Sequence, residues 1–372
     1  MKVKDDYLPA LTGVRALAAY MVFLHHYQPL PEKIIGKYFF NFLNEFHVGV
    51  TFFFVLSGFL IAYRYFDTKI DFKKYMVNRV ARIYPIYFLL TSLTFLAFIY
   101  SDHSHIIKDM LLYSLNISFA KGLFSDYIFS GIAQGWSLTV EEMFYISAPL
   151  VFLLIKKNKV FFFIVPIFLI LCGFLQTAFF SNHNFYSFMS NNEFMLNYTF
   201  WGRCTEFIIG IGLAFLIKKS TTDLSKIPCT YIGLVMILIF VFCLSLLKGD
   251  SDFGIRHPLG KLINTFVLPL AGIAIFYYGL IKEKTIISKF LASKTMVLLG
   301  KSSYIFYLIH IGLFQIILNK FTHNPLIIFV IINIISIILF YYVENPLNDF
   351  IRNKFNSISA NKMESKLEKS VL

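Results

Sequence analysis

An all-α, polytopic transmembrane bundle of about ten spans, with both termini cytoplasmic, is the fold class that this sequence predicts. Three observations predict it. Of the 372 residues, 57% are hydrophobic and only 15% are charged, against about 25% charged in an ordinary soluble domain. The apolar runs reach about twenty residues, the length of a helix that crosses a bilayer. They also do not alternate apolar with polar, as the strands of a membrane barrel must.

The spans are expected near 9–29, 46–66, 82–100, 138–155, 160–180, 203–217, 229–247, 262–281, 297–318 and 325–344. The first holds Arg15 and the pair His25-His26 inside an apolar stretch. A charge at a bilayer centre costs roughly 2.5–3.5 kcal/mol on insertion scales, so such residues face protein and usually work there. At about 100° per residue, Arg15 and His26 lie about 20° apart in projection and roughly 16 Å apart along the axis, with His25 about 80° off that stripe. The second span carries Gly49, Ser57 and Gly58, small residues that let helices approach closely.

The third span opens with Arg79 and Arg82. Three residues apart, they share a face. They suit either a basic helix end or a phosphate clamp. The stretch from Asp109 to Phe119 fits an interfacial or re-entrant piece. The fourth span begins GWSLTVEEMFY, with Trp136 as an interface anchor and Glu141 and Glu142 heading into an apolar run. Two carboxylates exceed what a helix N-terminus needs, so at least one is expected to face the interior.

Arg203 and Glu206 in the sixth span suit an intrahelical ion pair or a substrate role. In the ninth span Ser303, Tyr307 and His310 form a polar stripe at i, i+4, i+7. Glu344 ends the tenth, in a capping or ion-pair position. His103, His105, His183, His257 and His323 fall in loops.

The net charge of +13 follows from the positive-inside rule rather than from a nucleic-acid partner. With the N-terminus inside, 24 of the 34 Lys and Arg lie on the inner side, Lys2, Lys4 and Lys226 among them. That bias requires an even span number. Residues 1–350 form one integral membrane domain, and 351–372 a short basic cytoplasmic tail that frays. The segment before the first span is too short, and the span too long, for a cleaved signal peptide. Cys172, Cys204, Cys229 and Cys243 lie in or beside apolar runs without CxxC spacing, and the histidines lack metal-ligand spacing. Neither a disulfide nor a metal site is expected.

In order along the chain, RALAAYMVFLHH, FFFVLSGFLI, NRVARIYPIY, WSLTVEE, the Arg203–Glu206 motif, LGKSSYIFYLIH and YYVENP together resemble the acyltransferase-3 family of integral membrane acyltransferases. The resemblance runs from about Tyr7 to Pro346. It implies ten helices and transfer of an acyl group, most often acetyl, from cytoplasmic acyl-CoA. The implied acceptor is a hydroxyl on an envelope glycan such as lipopolysaccharide O-antigen or capsule, and the implied location is the bacterial inner membrane. The family's basic residue and histidine, eleven positions apart, fall on Arg15 and His26. Its arginine pair falls on Arg79 and Arg82, and its acidic motif on Glu141 and Glu142. Some relatives carry a fused extracytoplasmic hydrolase-like domain, for which this sequence is too short.

On that basis Arg79 and Arg82 are expected to bind the donor. His26 is expected to act as general base or transient acyl acceptor. Arg15 would assist at the donor or its thioester oxygen, and Glu142 would orient His26 or the acceptor. Arg15 and His26 are expected to share one cavity joined to the arginine pair. Acyl-CoA enters as a cosubstrate, with no permanently bound cofactor. The alternative is a transporter or flippase of a lipid-linked glycan, which would neither bind nor consume acyl-CoA. A polysaccharide polymerase is disfavoured by the short outer loops.

Overall fold

The computed structural model describes residues 7–101, 106–183, 185–219 and 227–371. Lys2, Lys4, His103, His105 and Lys226 lie outside them. The chain forms helices α1 (Pro9–His26), α2 (Gly49–Tyr65), α3 (Phe72–Ser101), α4 (Ile106–Ile117), α5 (Trp136–Lys157), α6 (Phe161–Phe180), α7 (Phe200–Lys219), α8 (Cys229–Leu247), α9 (Pro258–Lys282), α10 (Lys294–Ile309), α11 (Leu313–Asn319), α12 (Pro325–Leu339) and α13 (Asn345–Val371). Among the described residues the only extended pairing is an isolated bridge between Phe124 and Phe188.

Eight of the described helices are long and apolar enough to cross a membrane, or nine if the bent pair α10–α11 counts as one span. The expected ten are therefore not all present by that measure. Helix α1 is not among the eight. Arg15, His25 and His26 dilute its apolar run, and its place is inside the bundle rather than against lipid. Burial follows the same logic. The run ending in α2 is 67% buried, whereas the windows through α6 and through α12–α13 are only 17% buried. The first is a central helix and the others form the lipid-facing rim.

Close helix approach sets the geometry of the centre. Helices α2 and α7 make the most extensive contact, followed by α1 and α10. A methyl group at Gly58 would overlap the Phe207 carbonyl, and one at Gly300 would overlap the Thr12 carbonyl. Backbones this near gain packing that lipid tails cannot match. The first contact fixes Ser57, and the second fixes the helix that carries Arg15.

Three features differ from expectation. The run 297–318 is not one straight span, because it bends by 85° between α10 and α11. Gly312 occupies φ +88 there, a conformation glycine adopts without a Cβ clash. The break leaves His310 at the end of α10 instead of mid-helix. The tail expected to fray from residue 351 continues as helix to Val371. Finally, Lys121 belongs to the loop between α4 and α5, where a basic residue would ordinarily be solvated, yet it is fully buried.

The twelve residues of α4 are too few to span a membrane, as expected for an interfacial piece. The chain beyond it is pinned by Lys121, which donates to the carbonyl of Ser130 at 2.7 Å and to that of Ile132. That anchor sits just before Gln134 and Ser137, which reach the centre of the bundle. A second support comes from α9, whose segment Ile263–Ile273 winds as a π-helix around Pro269. Proline lacks the N–H that an α-helical register needs. Asn264 in this segment accepts a 3.1 Å hydrogen bond from Thr51 of α2.

Two predictions follow from this packing. Gly300→Leu forces α1 and α10 apart, so fluorescence-detected size exclusion will show loss of the monodisperse peak, while Gly212→Leu, at an open position, keeps it. Burial pushes the Lys121 ammonium down to about 7 from 10.5. Between those values the unfolded chain holds a proton that the folded chain has released. Stability therefore rises with pH from about 7 towards 10.5, by at most about 1.4 kcal/mol per pH unit. Thermal unfolding across that window will show the slope in the native protein and its loss in Lys121→Met.

Candidate active site

A cavity opens between α1, α2, α3, α5 and α10. Arg15, Arg79 and Arg82 line it together with Ser57, Ser137, Glu141, Tyr145, Tyr304 and Tyr307, and Phe53, Phe54 and Leu60 supply apolar wall. The helix turn explains the convergence. Arg79 and Arg82 leave one face of α3, and Arg15 meets them from α1, which Gly300 holds close to α10.

The three guanidinium groups make no ion pair among the described residues. The ion pairs there involve Glu45, Glu206, Asp67 and Asp252 instead. Arg79 is 6% exposed, its Nε has no hydrogen-bond partner, and its guanidinium carbon sits 6.0 Å from the ring centres of Tyr65 and Tyr145. Buried cations are unfavourable without a counter-charge, and the one carboxylate that lines the cavity is Glu141.

Glu141 is the acid that faces the cavity. It accepts a 2.6 Å hydrogen bond from Ser57 Oγ, to which Tyr145 donates at 3.4 Å. Glu142, expected to orient His26, does not line the cavity. Its Oε1 is buried without a partner, and His26 bonds only Val22 and His310 among the described residues. Successive residues on a helix diverge by about 100°, so only one of the adjacent glutamates can point into the opening.

His26 does not share the cavity with Arg15. Between them stands a polar plug. Ser137 and Tyr307 hydroxyls lie 3.0 Å apart, and Ser137 donates to the Gln134 carbonyl at 3.0 Å. The Gln134 side-chain amide lies 3.3 Å from His310 Nδ1, and His310 Nε2 lies 3.3 Å from His26 Nδ1. His26 itself is exposed on the far side. The stripe Tyr307–His310 therefore links the arginine cavity to His26, which the straight-helix projection could not show. Ser303, in the same stripe, only caps its own helix at the Gly300 carbonyl, 2.9 Å away.

Backbone carbonyls set the imidazole tautomers. His26 Nδ1 is 2.9 Å from the Val22 carbonyl and His310 Nδ1 is 2.8 Å from that of Tyr307. A carbonyl only accepts, so each Nδ1 carries the proton, and it is the otherwise unpartnered Oε1 of Gln134, with the amide turned, that accepts from His310 Nδ1. His26 Nε2 is thereby left with its lone pair, as a base requires. His25 faces another neighbourhood. Its ring centre lies 4.6 Å from that of His26 and 5.6 Å from that of His47, and His47 pairs with the buried Glu45 at 3.0 Å. Nothing in the sequence pattern marks Glu45, His47, Gln134 or Tyr145; Gln134 and Tyr145 take their places through contacts with other helices.

Arg203 and Glu206 form the intrahelical pair. Arg203 Nε and Nη2 each lie 2.6 Å from the Glu206 carboxylate, Nη2 also donates to Thr51 at 3.0 Å, and Nη1 to the Asn197 carbonyl at 3.0 Å. Neither residue lines the cavity, and their role is to brace α7 against α2.

Fold and composition together define a multi-pass membrane protein whose helical bundle encloses an arginine-lined cavity. The chain belongs to the acyltransferase-3 family, whose profile, an acyltransferase domain, matches residues 8–344. It is 28% identical over 317 residues to "Putative acetyltransferase ORF330" of Acidianus two-tailed virus, covering 83% of this chain and 84% of that one. It is 24% identical over 376 residues to O-acetyltransferase OatA of Staphylococcus aureus strain NCTC 8325, covering 92% of this chain but only 57% of OatA. The protein is thus an acyltransferase, and these relatives support O-acetyl transfer. No solved structure matches the chain.

The Arg203–Glu206 pair yields a test that separates bracing from chemistry. Arg203→Ala strands a buried carboxylate and will cost about 3–5 kcal/mol, seen as a lower unfolding temperature in detergent. The double variant Arg203→Met with Glu206→Leu will recover most of that loss.

Proposed function

We propose that the protein moves an acetyl group from acetyl-CoA, bound in the arginine-lined cavity, to a hydroxyl of a cell-envelope glycan presented at His26. The observation that carries this reading is the cavity itself, where three arginines, Arg15, Arg79 and Arg82, face one carboxylate, Glu141, and none makes a direct ion pair among the described residues. A donor bearing several phosphates supplies the missing negative charge, and guanidinium forks bind phosphate bidentately. The arginine side faces the cytoplasm of the inner membrane, where both termini lie and where acyl-CoA is available. The glycan acceptor follows from the sequence resemblance.

The proposed chemistry uses residues already placed. His26 Nε2 takes the proton of the acceptor hydroxyl as the hydroxyl oxygen attacks the thioester carbonyl carbon. Arg15, roughly 16 Å from His26 along α1, helps to bind the donor in the cavity. The carbon–sulfur bond breaks, coenzyme A leaves as its thiolate, and His26 returns the proton to that sulfur. Because the Ser137–Tyr307 hydrogen bond closes the cavity on the His26 side, this route requires that bond to open during transfer. Glu141, held by Ser57, offsets part of the cationic charge when the donor is absent.

Removing the base will lower transfer by about 10²–10⁴-fold. Cells expressing His26→Ala will therefore lose the acetyl mass increment per glycan repeat while the protein remains in the membrane. An unchanged glycan mass spectrum in that variant overturns the assignment. A wild-type protein that moves glycan without consuming acyl-CoA is a transporter instead.

A further inference from the structure

Helix α13 packs along α3, and Lys73 Nζ stands 5.6 Å from the centre of the Phe355 ring across that contact. On the facing side, Glu344, Asn348 and Arg352 recur every four residues, a spacing that keeps them on one face. Each has a buried side-chain atom without a hydrogen-bond partner, namely Glu344 Oε2, Asn348 Oδ1 and Arg352 Nε, and so does Arg79 Nε. Native proteins leave few such atoms, and each one calls for a missing partner. Here four gather along one seam.

The seam runs outward from the cavity. Glu344 lies within electrostatic reach of Arg82 and Arg15, and Arg352 within reach of Arg79 and Arg64, which ends α2. Asp349 is exposed and makes no ion pair with Arg352 among the described residues. Tyr65 adds an aromatic face beside Arg79. The combination of guanidinium N–H groups at the outer end, carbonyl-type acceptors along the length and a nearby ring matches a phosphorylated nucleotide joined to an amide-bearing arm.

We propose that this seam holds the nucleotide end of the donor, with Arg352 binding the phosphate farthest from the thioester, the ribose 3′-phosphate of coenzyme A. This rests on the acyl-CoA reading above. Arg79 then bridges cavity and seam. Asn348 and Glu344 accept hydrogen bonds from the amide N–H and hydroxyl groups of the arm. An anionic lipid headgroup offers the same phosphate chemistry, so the test must separate the two.

The experiment is calorimetric titration of the purified protein in phosphatidylcholine nanodiscs with coenzyme A and with 3′-dephospho-coenzyme A. The wild type is expected to prefer coenzyme A by about tenfold or more, as a charge-assisted hydrogen bond allows. Arg352→Ala is expected to lose that preference while its affinity for the dephosphorylated form stays unchanged. If that variant does not fold, Arg352→Gln, closer in shape, is expected to give the same result. A preference retained in the folded variant overturns the proposal. So does native mass spectrometry in which phosphatidylglycerol is held by the wild type and lost from the variant while coenzyme A discrimination persists. Failure of the wild type to bind either form overturns the acyl-CoA reading itself, a different outcome from failure of the subsite alone.

Discussion

Three guanidinium groups held inside the bundle, none in a direct ion pair among the described residues, are the constraint on which the rest of this structure depends. Arg15, Arg79 and Arg82 cannot face lipid, so the helices that carry them must be enclosed by others. That requirement explains why α1 is wrapped by α2 and α10. It also explains why α6 and α12, which carry no such burden, form the rim. Glycines at the α1–α10 and α2–α7 crossings let the enclosure close tightly. An anion entering the cavity finds its counter-charges already in place, with little reorganisation to perform.

The same bundle contains a contrasting solution. Arg203 is as deeply buried as Arg79, but every one of its nitrogens bonds Glu206, Thr51 or Asn197. A satisfied buried cation is architecture, and an unsatisfied one beside open space is a site. Sequence position cannot separate these cases, because Arg203 and Arg79 both sit near the start of a span. Partner inventory separates them at once.

The break at the end of α10 gives the site its two-sided character. Gly312 turns the chain, and His310 at the helix end bridges Tyr307, at the cavity wall, to His26 on the opposite surface. In the proposed function, donor and acceptor would approach this polar barrier from opposite sides, and the barrier would keep water from the donor until the acceptor is present. Lys121 contributes at a distance, because it fixes the loop that delivers Gln134 and Ser137 to this barrier.

The sequence alone determined the all-helical membrane class, the approximate spans and the family resemblance, and it singled out Arg15, Arg79, Arg82 and His26. Each of these rests on local cost. A charge or imidazole in an apolar run is conspicuous wherever the run folds. Only the tertiary structure decided that Glu141 rather than Glu142 faces the cavity, that Arg15 and His26 stand on opposite sides of a plug, and that Lys121 is a buried group rather than a solvated one. Those outcomes depend on which helix lies opposite and at what bend. Side-chain facing follows crossing geometry between distant segments, and that geometry is set by the packing of the whole bundle.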